Sequence, residues 1–172
     1  MNASSDDRTV TIRTELRPGD LGWVIYRHGR LYSAENGYGL EFEAYVAAGL
    51  AEFYRAYDPA SDRVWVCETS AGIVGFMLLM HRPETTAQLR YFYLEPEFRG
   101  RGLGGRLMRL FMEFLHEKNY RAAYLWTTEE QLAAAALYER HGFKLTEEKR
   151  SEAFGKPLTE RRYDWKSGKV EK

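Results

Sequence analysis

Leu89–Phe114 reads LRYFYLEPEFRGRGLGGRLMRLFMEF, and its reading decides the fold class. Leu89 to Leu94 is aromatic and apolar, as strands are. Pro96 stops that strand. Arg99-Gly100-Arg101-Gly102-Leu103-Gly104-Gly105 then supplies glycines where backbone must approach another group closely. From Leu103 the apolar residues Leu107, Leu110, Phe111, Phe114 and Leu115 fall on one stripe of a helix. The unit is strand, tight turn, helix. Free N–H groups at the helix start, the dipole there and two arginines make an anion site, best suited to a phosphate or pyrophosphate. A glycine turn without a ligand is the competing reading. The glycines do not spell the G-x-G-x-x-G of a Rossmann unit, and the G-K-[ST] of a Walker A loop is absent.

The chain around this unit has 172 residues and a formal net charge of zero, enough for one domain with an adequate core. No basic block stands out, which disfavours nucleic-acid binding by this chain. The lone Cys67 excludes an intramolecular disulfide framework and a multi-cysteine metal site. His28, His81, His116 and His141 share no metal-ligand spacing, so no metal is expected. No apolar run approaches ~18–20 residues, so no membrane span is expected. The polar, acidic start MNASSDDRT is unlike a signal peptide, which makes the cytoplasm the default.

Residues 1–8 read as a disordered tail, 9–166 as a single domain and 167–172 as a second tail. Thr9–Leu16 alternates as a half-buried strand. A helix starts at Pro18-Gly19-Asp20 with Leu21, Val24, Ile25 and His28 on one side. After the loop Asn36–Gly39, a second helix carries Phe42, Tyr45, Val46, Gly49, Leu50 and Phe53 and runs to about Tyr57. Asp62–Thr69, Ile73–Met80 and Thr86–Leu94 are strands, the first two a hairpin. The glycine turn and a long helix to about Asn119 follow. Ala122–Thr127 is a buried strand, Glu129–His141 a short helix ended by Gly142, and Phe143–Lys149 and Arg161–Trp165 are closing strands. The order β α α β β β α β α β β gives a mixed α/β sheet of about seven strands with four helices on its two faces.

Two segments of this arrangement carry a family likeness. Arg99-x-x-Gly102-x-Gly104, after a strand ending in Leu94, is similar to the acyl-CoA pyrophosphate loop of the GCN5-related N-acetyltransferase (GNAT) family. Ala134-Ala135-Ala136-Leu137-Tyr138-Glu139-Arg140-His141-Gly142-Phe143 resembles that family's A-x-x-L-Y-x-x-x-G-F signature. The element order matches over roughly residues 9 to 166. The segment from Thr14 to Ala44 further resembles the acetyltransferase domains fused behind MarR-type regulators.

The resemblance implies an acetyl-CoA-dependent N-acetyltransferase that works by direct attack of an amine in a ternary complex. It implies that backbone N–H groups from Gly100 to Gly105, Leu103 among them, hold the pyrophosphate, with charge added by Arg99 and Arg101. It implies that the backbone of Phe92, Tyr93 and Leu94 pairs with the pantetheine and polarises the acetyl carbonyl. Gln131 stands where the family often has a cofactor-side asparagine. Tyr138 is implied as the acid: a phenol against the sulfur donates a proton as the CoA thiolate leaves, and its reference pKa of ~10 keeps it protonated at neutral pH.

The base is where the chain departs from the family. Positions that often hold a catalytic glutamate are Gln88 and Trp126, neither of them basic. Glu35, Glu41, Glu43 and Glu68 are the carboxylate candidates. Glu43 flanks the apolar face of the second helix, near the loop that borders the acceptor pocket in the family, so it is expected to be partly desolvated and to act as base, directly or through water. Cys67, in an apolar strand, reads as core. The expected acceptor is a small primary amine, an amino acid or a polyamine-like compound. An acyl-CoA-binding sensor that has lost catalysis, or an enzyme acting on a protein's N-terminus or lysine, is the rival reading. A homodimer is left open.

Overall fold

A computed structural model describes residues 9–168. The two tails read from the sequence fall mostly outside them. The elements are β1 (Thr11–Arg13), α1 (Asp20–Asn36), α2 (Leu40–Arg55), β2 (Arg63–Thr69), β3 (Gly72–Arg82), β4 (Thr86–Leu94), α3 (Leu103–Glu117), β5 (Ala122–Thr128), α4 (Leu132–Arg140), β6 (Lys144–Ser151) and β7 (Leu158–Lys166). They form one seven-stranded sheet in the order β1-β2-β3-β4-β5-β7-β6. Only β4 and β5 run parallel; every other neighbouring pair is antiparallel. The mixed sheet and four helices expected from the sequence are therefore present. No helix among the described residues is long and apolar enough to cross a membrane.

Each sheet face has its own core. Leu107, Met108, Phe111 and Leu115 of α3 pack with Leu89, Ala123, Leu125 and Tyr138 on one face. Val24 of α1 and Val46, Leu50 and Phe53 of α2 pack with Phe76, Leu78 and Tyr91 on the other. Each fully buried side chain of this kind stabilises the fold by about 1.5–3 kcal/mol.

Some element ends differ from the sequence expectation. The fourth helix begins at Leu132, not Glu129, because Glu129 and Glu130 are held in a turn: the Glu129 N–H donates to Thr159 O at 3.0 Å and the Gln131 N–H to Thr128 O at 3.1 Å. The last strand is longer than expected and starts at Leu158.

A cleft opens because β4 leaves β5. The two strands pair only at Thr86–Ala122, Ala87–Ala123 and Gln88–Tyr124. Beyond that point β5 stays with β7 along its whole length. The divergence coincides with a bulge in β4. Leu78 opposes Arg90 and Phe76 opposes Tyr93, so Met77 faces two residues instead of one. Tyr91 accordingly adopts a left-handed φ of 57°, a conformation unusual for a bulky residue. The extra residue brings Arg90 and Tyr91 together, with the guanidinium carbon 4.7 Å from the Tyr91 ring.

Candidate active site

The cleft is walled by Gln88–Phe92 of β4 and Trp126–Thr128 of β5. Gln131, Ala134 and Tyr138 line it from the α4 side. His28 and Tyr32 of α1, and Phe42, Tyr45 and Val46 of α2, cover it, and Tyr38, Phe154 and Glu160 complete the lining. Aromatic packing assembles this cover. Tyr38 lies 5.1 Å from Phe42, which lies 4.9 Å from Phe154, and the Tyr38 hydroxyl is 3.0 Å from Thr128 Oγ1 across the cleft.

Tyr138 is 5 % exposed and its ring lies 6.3 Å from that of Phe92. Burial, with the Tyr32 phenol nearby, pushes its pKa well above that of an ordinary phenol, so it is protonated at neutral pH. No other described residue hydrogen-bonds its hydroxyl. Tyr32 is pushed up to about 12 by burial and stacks on His28 at 5.5 Å. His28 Nδ1 lies 2.9 Å from Val24 O. A carbonyl only accepts, so Nδ1 carries the proton and Nε2 is left as a bare acceptor. Burial pulls His28 down to about 4, which keeps it neutral.

The glycine turn lies beside the cleft and borders a groove of its own. Gly100 and Gly102 have φ of 73° and 82°, conformations glycine adopts without strain. The first α3 bond runs from the Arg106 N–H to Gly102 O at 3.0 Å. The N–H groups of Leu103, Gly104 and Gly105 thus lack intrahelical acceptors, and no side chain caps this end. Gly104 also serves packing, since a Cβ there would lie 3.3 Å from Leu137 and 3.6 Å from Phe92. These two residues link the turn to Tyr138. Arg101, Arg106 and Arg109 line a groove beside Gly102 and Leu103. Among the described residues none of the three is in an ion pair, which leaves their charge for a bound anion. The sequence reading missed Arg106 and Arg109, although their spacing of three on one helix was a usable signal.

The structure separates the other sequence candidates. Arg99 is committed: both its Nη atoms donate to Glu35 at 2.9 Å and its Nε to Leu94 O at 3.1 Å. It fastens the end of α1 to the start of α3 rather than offering a free charge to phosphate. Tyr93 packs with its ring centroid 5.0 Å from that of His28, and Leu94 packs on the α3 face, so both side chains are core while their backbone borders the opening. Gln131 lines the cleft, but its amide donates to Asn36 Oδ1 at 3.1 Å. Gln88 is held by Arg82 Nε at 2.9 Å and by the Tyr124 hydroxyl at 3.2 Å, both donating to its Oε1.

Glu43 is not among the cleft-lining residues. It packs against α1, where a Cβ on Gly29 would fall 2.3 Å from its Oε1. Two charged side chains that the sequence reading did not select line the cleft instead, Arg90 and Glu160. Cys67 is fully buried and burial pushes its thiol up to about 12, so it is inert. Among the described residues no three His, Cys, Asp or Glu side chains gather as metal ligands.

Comparison with known proteins agrees with this fold. The model of the acetyltransferase (GNAT) family matches residues 20–143. The chain is 34 % identical over 127 residues to the uncharacterized N-acetyltransferase YjgM of Escherichia coli (strain K12), covering 70 % of this chain and 75 % of that protein. It is 34 % identical over 87 residues to the N-acetylaspartate synthetase of Danio rerio, covering 50 % of this chain but only 31 % of that protein. In fold it is similar to yncA, a putative acetyltransferase of Salmonella typhimurium solved with its cofactor acetyl-CoA, with a TM-score of 0.67, 17 % identity, and coverage of 91 % of this chain and 93 % of that one. This chain belongs to the acetyltransferase (GNAT) family and is an acyltransferase.

Proposed function

We propose that the chain transfers the acetyl group of acetyl-CoA to a small primary amine by direct attack within a ternary complex. One observation carries this reading: where β4 leaves β5, an unpartnered phenol, Tyr138, lies beside Phe92, and Phe92 leads to the uncapped start of α3. The amides of Leu103, Gly104 and Gly105, with Arg101, Arg106 and Arg109, hold the pyrophosphate and its neighbouring phosphate. The edge of β4 past Gln88 has no sheet partner on the β5 side. It receives the pantetheine amides as an added strand, and its N–H groups polarise the acetyl carbonyl.

As the amine nitrogen bonds to the carbonyl carbon and the carbon–sulfur bond breaks, Tyr138 donates its phenolic proton to the departing sulfur, and the proton that the nitrogen sheds as it becomes the amide returns to the Tyr138 phenolate. An alkyl ammonium has a pKa near ~10.4, so only about one molecule in two thousand is neutral at pH 7. Glu160 is the one carboxylate among the cleft-lining residues and takes that proton, directly or through water. The role assigned to Glu43 from sequence passes to it. Initial rates of CoA-thiol release over a panel of amines test the reading. Amine-dependent release with intersecting double-reciprocal lines is expected. Parallel lines would mean an acetylated enzyme instead of direct attack, and no release with any amine would leave only a CoA-binding module.

A further inference from the structure

The acceptor end of the cleft carries one charge of each sign, and their settings differ. Glu160, on β7, has Lys149 at 3.9 Å. Arg90, on β4, has no carboxylate within ion-pair distance among the described residues. Other partly buried arginines are matched: Arg13 with Asp20, Arg27 with Glu95, Arg82 with Glu52 and Arg162 with Asp164. Arg90 is instead held by aromatic groups. Its Nη2 donates to the Tyr45 hydroxyl at 3.3 Å, and its guanidinium carbon lies 4.7 Å from the Tyr91 ring and 5.6 Å from that of Tyr45.

The surrounding backbone makes room for this cation. A Cβ on Gly49 of α2 would fall 2.8 Å from Arg90 Nη2 and would collide with the Tyr91 hydroxyl. The β4 bulge is what turns Arg90 and Tyr91 to the same side. A half-buried guanidinium without a counter-ion is a costly arrangement. A planar fork of donors with its position fixed by aromatic contacts suits a carboxylate.

We propose that the acceptor is an amino acid or similar short amine bearing a carboxylate, and that Arg90 selects it by binding that carboxylate. This rests on the amine-acetyltransferase reading above. The charge pattern decides between the two acceptor classes expected from sequence. A zwitterion matches Arg90 on one wall and Glu160 on another, whereas a polyamine brings a second cation towards Arg90.

The test is kcat/KM for matched acceptors that differ only in the carboxylate: phenylalanine against phenethylamine, alanine against ethylamine, and glutamate against γ-aminobutyrate as a control that keeps one. For the wild type, the best amino acid should exceed its decarboxylated partner by at least tenfold. Arg90→Gln should collapse that ratio towards one, mainly by raising KM for the amino acid. Arg90→Lys keeps the charge without the fork and should recover part of the ratio. Unchanged acetyl-CoA affinity by calorimetry would show that both variants are folded, and the wild-type ratio stands whether or not they are. Equal turnover of amino acid and decarboxylated amine by the wild type, or an unchanged ratio in folded Arg90→Gln, would overturn this inference alone. No CoA release with any amine would overturn the acetyltransferase reading as well.

Discussion

The two ends of the cleft are built by different means. The α3 end offers backbone: the amides of Leu103, Gly104 and Gly105 at an uncapped helix start, inside the contiguous turn from Arg99 to Gly105. The acceptor end offers side chains from α1, α2, β4, β5 and β7, set by aromatic packing and one bulge. A phosphate-bearing group common to every turnover needs only amides and positive potential. A variable acceptor needs charges placed one at a time.

The largest expected effect lies in the dryness of the acceptor end. His28 is neutral in the folded chain, pulled by burial from the ordinary 6.5 of an imidazole to about 4. Above about pH 6.5 neither state binds the proton, and stability is full. As the pH falls from there towards 4 the unfolded chain takes up a proton that the folded one refuses. This costs about 3 kcal/mol. Chemical denaturation between pH 7 and 4 should show the loss, and His28→Phe should flatten it. An unchanged slope would mean that water reaches this ring.

Tyr138→Phe keeps the ring packing and removes only the proton donor. Its kcat should fall by roughly 10²-fold with little change in melting temperature, measured where chemistry limits turnover. Turnover within a factor of two would remove the acid from the scheme. Glu160→Gln should lower kcat/KM at neutral pH at least tenfold. That deficit should shrink as the pH rises towards ~10.4 and the amine arrives neutral. A pH-independent deficit would make Glu160 a binding group only. At the other end, Gly102→Asp places a carboxylate at the proposed pyrophosphate site. Space is open around that Cβ, but the left-handed φ of 82° strains any side-chain-bearing residue there, so Gly102→Ala serves as the control: acetyl-CoA affinity should drop about tenfold further for Asp than for Ala, or ~1.4 kcal/mol. Unchanged affinity by calorimetry would refute the loop assignment.

The same contrast explains what was legible in the sequence. The glycine turn, the stripe on α3 and the segment around Tyr138 are each contiguous, and helical spacing or a local motif exposes them. Arg90 and Glu160 are 70 positions apart and face one cleft only because β4 bulges, leaves β5 and lets β7 follow β5. No periodicity records that. Glu43 shows the limit of the helical wheel. It does flank the apolar face of α2, but wheel position does not say which neighbour a flank meets, and this one meets Gly29 of α1. Arg99 shows a similar limit: a motif gives its place beside the phosphate loop, while its guanidinium is taken by Glu35 from a helix 64 positions earlier.

The division of the cleft into a backbone end and a side-chain end is tested most directly by the structure of this chain with CoA and an amine bound. The expected result has the pyrophosphate on the amides of Leu103, Gly104 and Gly105, the pantetheine along β4 between Leu89 and Leu94, and the thiol beside the Tyr138 hydroxyl, with the amine on the side of Arg90 and Glu160. A thiol remote from Tyr138, or an amine bound outside the β4–β5 opening, would contradict it.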